Sequence, residues 1–144
     1  MTLSSNYTIT LDDNPSEEDL HAVLEGLRHF NQLHTPDDDY RPLTLFLRDP
    51  DGKVAGGLLG ETYWGWLHVS IFWLEEGIRR QGFGSRLLSL AEQEAVRRGC
   101  RGAHLDTMSF QSLPFYRRCG YQVFGELQDL PPGHKRHFLW KPLS

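Results

Sequence analysis

Apolar residues alternate with polar ones at Tyr7, Ile9 and Leu11, a period of two that predicts a short strand. The period then lengthens. In NPSEEDLHAVLEGLRHFNQLH, Asn14 can cap a helix, Pro15 suits its first position and Glu17 completes a capping box. Leu20, Val23, Leu24, Leu27 and Phe30 then share one helical face. After the turn-rich TPDDDYRP, the run from Leu43 to Glu76 predicts three antiparallel strands, with hairpin turns at Asp51-Gly52 and Trp64-Gly65. Gly56 and Gly57 point to a bulge or a close backbone approach. In WLHVSIFWL, strict alternation puts Leu67, Val69, Ile71 and Trp73 on one face, and His68, Ser70, Phe72 and Leu74 on the other.

A second helix is predicted from Gly82 to Arg98. It buries Leu87, Leu88, Ala91 and Ala95 and exposes Arg86, Glu94, Arg97 and Arg98, with Glu94 and Arg98 spaced to pair. Gly99 stops it. GAHLDTM reads as a short strand, and SLPFYRRCGY as a short helix starting near Ser112 and ending at Gly120. YQVFGEL and HKRHFLWKPL read as two closing strands around QDLPPGH. This order implies an α/β fold: a sheet with antiparallel and parallel pairs, covered by helices on both faces.

A chain of 144 residues fits a single domain spanning 1–144. Its net charge of −4 gives no footprint for nucleic acid and leaves room for a cationic partner. Asp37, Asp38 and Asp39 are either solvated or a lure for such a partner. Cys100 and Cys119 form neither a disulfide framework nor a metal spacing, so no metal is expected. No apolar run approaches a membrane span and no leader pattern opens the chain, so the expectation is a cytoplasmic protein without membrane contact.

The chemistry concentrates in GIRRQGFGSRLL. A glycine turn leading from a strand into a helix is an anion site, because the first helical N–H groups lack internal partners. Arg79, Arg80 and Arg86 add positive charge, and a pyrophosphate is the natural occupant. The G-x-G-x-x-G fingerprint fails, since Leu87 stands where the third glycine belongs, and no G-K-[ST] triplet occurs. A dinucleotide oxidoreductase is thereby disfavoured. What remains is R-x-x-G-x-G after an antiparallel strand.

Together, IRRQGFGSRLL and FYRRCGY resemble the Gcn5-related N-acetyltransferases, the GNAT superfamily, over roughly residues 56–124. The resemblance implies a mixed, mostly antiparallel sheet of six to seven strands and an acetyl-coenzyme A site. It places the pyrophosphate on Arg79, Arg80, Gln81, Gly82, Phe83, Gly84 and Ser85, and the pantetheine arm along Phe72, Trp73 and Leu74. It implies acetyl transfer to a small-molecule or peptide amine by direct attack in a ternary complex. It makes Tyr116 the acid beside the coenzyme sulfur, since a phenol near pKa 10 stays protonated at neutral pH. His68 is the candidate base, Glu61 the second and Asp106 a third; each can equally be an ordinary strand residue. Relatives often carry asparagine seven residues before the tyrosine. Ser109 stands there instead, with Gln111 and Ser112 able to fill the gap. Tyr63, Trp64, Trp66 and Phe72 are either an acceptor pocket or sheet core. His134, Lys135, Arg136 and His137 border the last turn and either shape the acceptor site or are solvated. A homodimer is possible. The alternative function is a non-catalytic acetyl-coenzyme A sensor.

Overall fold

The computed structural model describes residues 6–144. Met1–Ser5, where the leader would have begun, lie outside the described residues. The chain divides into two compact units, Met1–Asp37 and Asp38–Ser144.

The first unit holds helix α1, Glu17–Gln32. Its cap is Ser16 rather than Asn14, and Pro15 precedes the helix instead of opening it. Ser16 Oγ accepts the Asp19 N–H at 3.1 Å, and Glu17, Glu18 and Asp19 place negative charge in the first turn. The strand expected around Ile9 does not form: residues 7–12 are irregular. A short alternation specifies a face but supplies no partner.

The second unit is a six-stranded sheet in the order β1-β2-β3-β4-β6-β5. Its strands are β1 Arg41–Arg48, β2 Val54–Tyr63, β3 Trp66–Leu74, β4 Gly102–Met108, β5 Gln122–Gln128 and β6 Lys135–Pro142. All neighbours are antiparallel except β3 and β4, which run parallel. Helix α2, Phe83–Arg97, makes the crossover between those two, and helix α3, Leu113–Arg118, follows β4. Leu88, Ala91 and Ala95 of α2 and Tyr116 of α3 close one core with Leu58, Leu67, Val69, Leu105 and Leu139 of the sheet. Both predicted hairpins form; Gly52 at φ 84° and the Trp64-Gly65 pair at φ 49° and 74° take the left-handed backbone that tight hairpins require.

One departure reorganises the face assignment. The β2–β3 register runs Thr62↔Leu67, Glu61↔His68 and Gly60↔Val69, then jumps to Leu59↔Ile71 and Leu58↔Phe72. Ser70 is the extra residue of a β-bulge. One inserted residue transposes every side chain beyond it. The core face therefore reads Leu67, Val69, Phe72, and Ile71 and Trp73 fall on the opposite face with His68. Strict alternation groups Ile71 and Trp73 with Leu67 and Val69; they are instead 59% and 51% exposed. The bulge sits at Gly60, whose missing Cβ would collide with the His68 carbonyl oxygen. Gly56 and Gly57 permit close approach instead: a Cβ would lie 2.8 Å from the Trp73 carbonyl oxygen in one case and 2.7 Å from that of Leu45 in the other.

Arg98 is not a solvent-facing residue. Only 12% of its side chain is exposed; it pairs with Glu94 at 2.8 Å and donates to the Pro42 carbonyl and Thr62 Oγ1, both at 3.1 Å. It fastens the end of α2 to β1 and β2. Hydrogen bonds from Arg97 and then Arg98 hold the Glu94 carboxyl down at about 2.

Two outcomes are expected. Gly60→Ala should cost about 1–3 kcal/mol, the usual range for overpacking, read as a lower Tm; an unchanged Tm would mean the strands part freely at the bulge. Because the Glu94 pKa is depressed by folding, its contribution is present above the unfolded value near 4.3 and is lost as pH falls from about 4 towards 2. Glu94→Gln should therefore lower Tm at pH 7 and converge with wild type near pH 2, with salt shrinking the difference because the pair is partly solvated.

Candidate active site

β3 and β4 pair only from Trp66↔Gly102 to Val69↔Leu105. Beyond that point β3 continues to Leu74 against β2, and β4 continues to Met108 against β6. The two strands part, and the backbone of Ser70–Leu74 borders a wedge whose far wall is Asp106–Met108. Phe72, Trp73 and Leu74 all lie on this free stretch. Phe72 turns to the core side, where its ring meets Phe115 at 6.0 Å and Tyr116 at 6.4 Å.

The glycine loop stands beyond the end of β3. Gly82 caps α2 at φ 86°, and the first helical bond runs from Arg86 N to the Gly82 carbonyl at 3.2 Å, so the N–H groups of Phe83, Gly84 and Ser85 precede the internal ladder. A Cβ on Gly84 would lie 3.4 Å from the Phe115 ring and 3.6 Å from Leu74 Cδ1, ordinary contact distances, so the turn packs directly against α3 and the end of β3. Arg80 holds a left-handed backbone at φ 65°. Arg79 Nε donates to the Leu74 carbonyl at 3.0 Å, and Gln81 Nε2 to that of Gly77 at 3.3 Å, bracing the loop against the strand end. A helix start, a positive-φ glycine and flanking arginines suit a diphosphate.

Tyr116 is buried on the core side of the wedge, its ring 5.2 Å from Phe115 and 6.0 Å from Tyr121. Burial above all, and then the charges of Cys119 and Asp106, push its phenol up to about 12. It holds its proton at every physiological pH. Phenolate so basic exceeds a thiolate, whose conjugate acid lies near 8.5. Tyr116 is therefore suited to donating a hydrogen bond to a sulfur anion and unsuited to surrendering its proton completely.

Glu61 and His68 face each other across β2 and β3 on the opposite face. His68 Nδ1 lies 2.8 Å from Glu61 Oε1, and the bulged Ser70 donates its hydroxyl to Glu61 Oε2 at 3.1 Å. An ionised carboxylate only accepts, so the neutral imidazole carries its proton on Nδ1 and presents Nε2 as the basic nitrogen. The two candidate bases are one unit. Next to them stands His104, which no sequence motif singles out. It is the parallel partner of His68, its ring stacked at 4.7 Å and 20°. Burial first, and the neighbouring His68 second, lower its pKa from the ordinary imidazole value.

Other candidates are engaged elsewhere. Asp106 is ion-paired with Arg136 at 2.8 Å. Ser109 Oγ accepts the Lys135 N–H at 3.1 Å, and Gln111 Oε1 accepts the Met108 N–H at 2.8 Å, so both serve the loop after β4. Ser112 caps α3 by position but not through its side chain. Of the four residues bordering the last turn, His134 lies in the turn itself, its ring 4.8 Å from Phe110. Lys135, Arg136 and His137 belong to β6. His137 is buried, and its Nδ1 lies 3.3 Å from Glu126 Oε1 but off the line that a hydrogen bond needs. Trp64 sits exposed in the β2–β3 turn.

The acetyltransferase (GNAT) family profile matches residues 5–121. The chain belongs to the GNAT family. It is 37% identical over 131 residues to an acetyltransferase of Agrobacterium fabrum, covering 91% of this chain and 96% of that protein. It is 41% identical over 113 residues to blasticidin-S acetyltransferase of Streptomyces morookaense, covering 76% and 83%. The crystal structure of an acetyltransferase from Bacillus cereus superposes with a TM-score of 0.85 at 31% identity, covering 93% of this chain and 98% of that one. This GNAT protein is an acetyl-coenzyme A-dependent N-acetyltransferase. Among its described residues no helix is long and apolar enough to cross a membrane, and no group of three or more His, Cys, Asp or Glu side chains could hold a metal ion.

In this acetyltransferase, ring-proton NMR should give His104 a titration midpoint below about 6.5, the ordinary imidazole value. His68→Phe should raise that midpoint part of the way, because the stack stays and only the charge goes. No movement would leave burial as the sole cause.

Proposed function

We propose that acetyl transfer in this chain is divided between the two faces of the sheet at the point where β3 and β4 part. The observation that carries the proposal is the one-residue separation between the His68↔His104 pair and the last pair before the wedge, Val69↔Leu105. Acetyl-coenzyme A, when bound, supplies the acetyl thioester. The N–H groups of Phe83, Gly84 and Ser85, with Arg79 and Arg80, hold its pyrophosphate, and the Phe72–Leu74 backbone orients its arm. On the core side Tyr116 keeps its proton and hydrogen-bonds the departing sulfur. On the other side His68 Nε2 takes a proton from the acceptor ammonium, because only the free amine attacks. Glu61 fixes the His68 tautomer and stabilises the imidazolium that results. Backbone N–H groups of β3 beyond Val69, which β4 does not reach, are available to an acyl oxygen as it gains charge.

The family match crosses the boundary at Asp37, which supports treating 1–144 as one acetyltransferase domain. The Streptomyces relative makes blasticidin S the first acceptor to test. Thiol release from acetyl-coenzyme A should depend on the acceptor supplied. Tyr116→Phe should lower kcat by about 100-fold or more, the range for losing one hydrogen-bond donor to a developing anion, with the coenzyme dissociation constant nearly unchanged by calorimetry. Full turnover in that variant would remove Tyr116 from the chemistry. Coenzyme binding without release from any amine would favour a sensor instead.

A further inference from the structure

The strand registers place four side chains in one line across the sheet. Glu61 pairs with His68, His68 with His104, and His104 with Trp140, from β2 through β3 and β4 to β6. Each pair shares the face opposite the core. The line begins with a carboxylate, continues through two imidazoles stacked at 4.7 Å and ends in an indole. The neighbouring row reinforces the aromatic end. Trp66 lies against Gly102, where any Cβ would strike its ring, and so reaches His104 at 6.0 Å and Trp140 at 6.1 Å. All five residues are half-buried. On the same strands the core face is aliphatic, with Leu58, Leu67, Leu105 and Leu139, whereas this face sets two imidazoles and, with Trp66, two indoles in ring contact.

We propose that this row is the acceptor floor and that the acceptor is a cation carrying a planar ring as well as its reactive amine. The inference rests on the proposed role of the Glu61–His68 pair. The amine is placed by that pair beside the wedge, where Glu61 supplies the complementary charge. The ring lies over His104, Trp66 and Trp140, where aromatic faces attract both a flat ring and a delocalised cation. Spacing sets the size. Strands lie about 4.8 Å apart, so Trp140 is about 10 Å and His104 about 5 Å from His68. The amine thus stands about 5–10 Å from the ring, a separation that a short linker provides. A compact amine or a flexible aliphatic polyamine would reach Glu61 and leave the aromatic end unused.

Two matched sets of primary amines test this. The planar set is histamine, tryptamine and 2-phenylethylamine; the aliphatic set is butylamine, hexylamine and 1,4-diaminobutane. Thiol release should give the best planar amine a kcat/KM at least about tenfold above any aliphatic one, the discrimination expected from about 1.4 kcal/mol of added contact. Trp140→Ala should erase that difference while leaving the KM for acetyl-coenzyme A unchanged, and Trp140→Leu, which keeps the bulk, should erase it too without unfolding the sheet. Binding is read separately: planar amines should shift the Trp140 indole N–H resonance and aliphatic amines should not, whether or not turnover follows. Equal use of both sets, or an indole resonance indifferent to the planar set, overturns the inference while leaving acetyl transfer standing. Shifted indole resonances without thiol release from any amine would support the floor and count against the transfer chemistry assigned above it.

Discussion

The parallel contact between β3 and β4 is four residues long and then stops. The proposed site depends on that limit. A sheet wants its backbone donors and acceptors paired, and each of these strands satisfies one edge against an antiparallel neighbour, β2 on one side and β6 on the other. Those outer ladders run on to Leu74 and Met108 and hold the strands apart. The unpaired inner edges are therefore stable as well as available. Under the proposed function, the pantetheine arm would complete hydrogen bonding that the fold leaves undone.

The bulge at Ser70 lets one strand serve both faces at that gap. Before it, His68 points away from the core; after it, Phe72 points into the core and against the tyrosine of α3. Without the extra residue these two positions, four apart, would share a face. The same insertion delivers the Ser70 hydroxyl to the second oxygen of Glu61, so the carboxylate that orients His68 is itself held from two directions. Division of labour between faces is also electrostatic. Tyr116 lies in apolar packing that raises its phenol, whereas Glu61 and His68 keep partial solvent access and hydrogen-bond each other.

Much of this was legible in the chain. The glycine turn, the α2 face and the tyrosine of FYRRCGY are local features, fixed by backbone conformation and helical period, and each lies where the pattern put it. The hairpins at Gly52 and Gly65 were equally plain. Facing beyond Ser70 was not, because alternation cannot reveal a single inserted residue; only the partner strand shows that two residues oppose one. The cap of α1 moved from Asn14 to Ser16 because both residue types cap well and only the hydrogen bond to Asp19 decides between them. Arg98 looked solvated from helical period alone, yet its acceptors are carbonyls on strands far away in sequence. His104 and Trp140 carry no motif. Their place beside His68 follows from strand order, which brings β4 between β3 and β6.

The transverse row also constrains how this protein can change over evolutionary time. Its four members come from four strands, and each holds its place by register rather than by local conformation. A one-residue insertion or deletion within β2, β3, β4 or β6 would carry one member to the other side of the sheet and break the line at that point. Two-residue changes keep the facing and shift only the position along the strand. Length variation compatible with function should therefore collect in the connections, above all the β5–β6 hairpin around Pro131. Divergence in substrate preference should proceed mainly by exchange of side chains at fixed positions, with residue 140 the freest member because it is farthest from the proton chemistry.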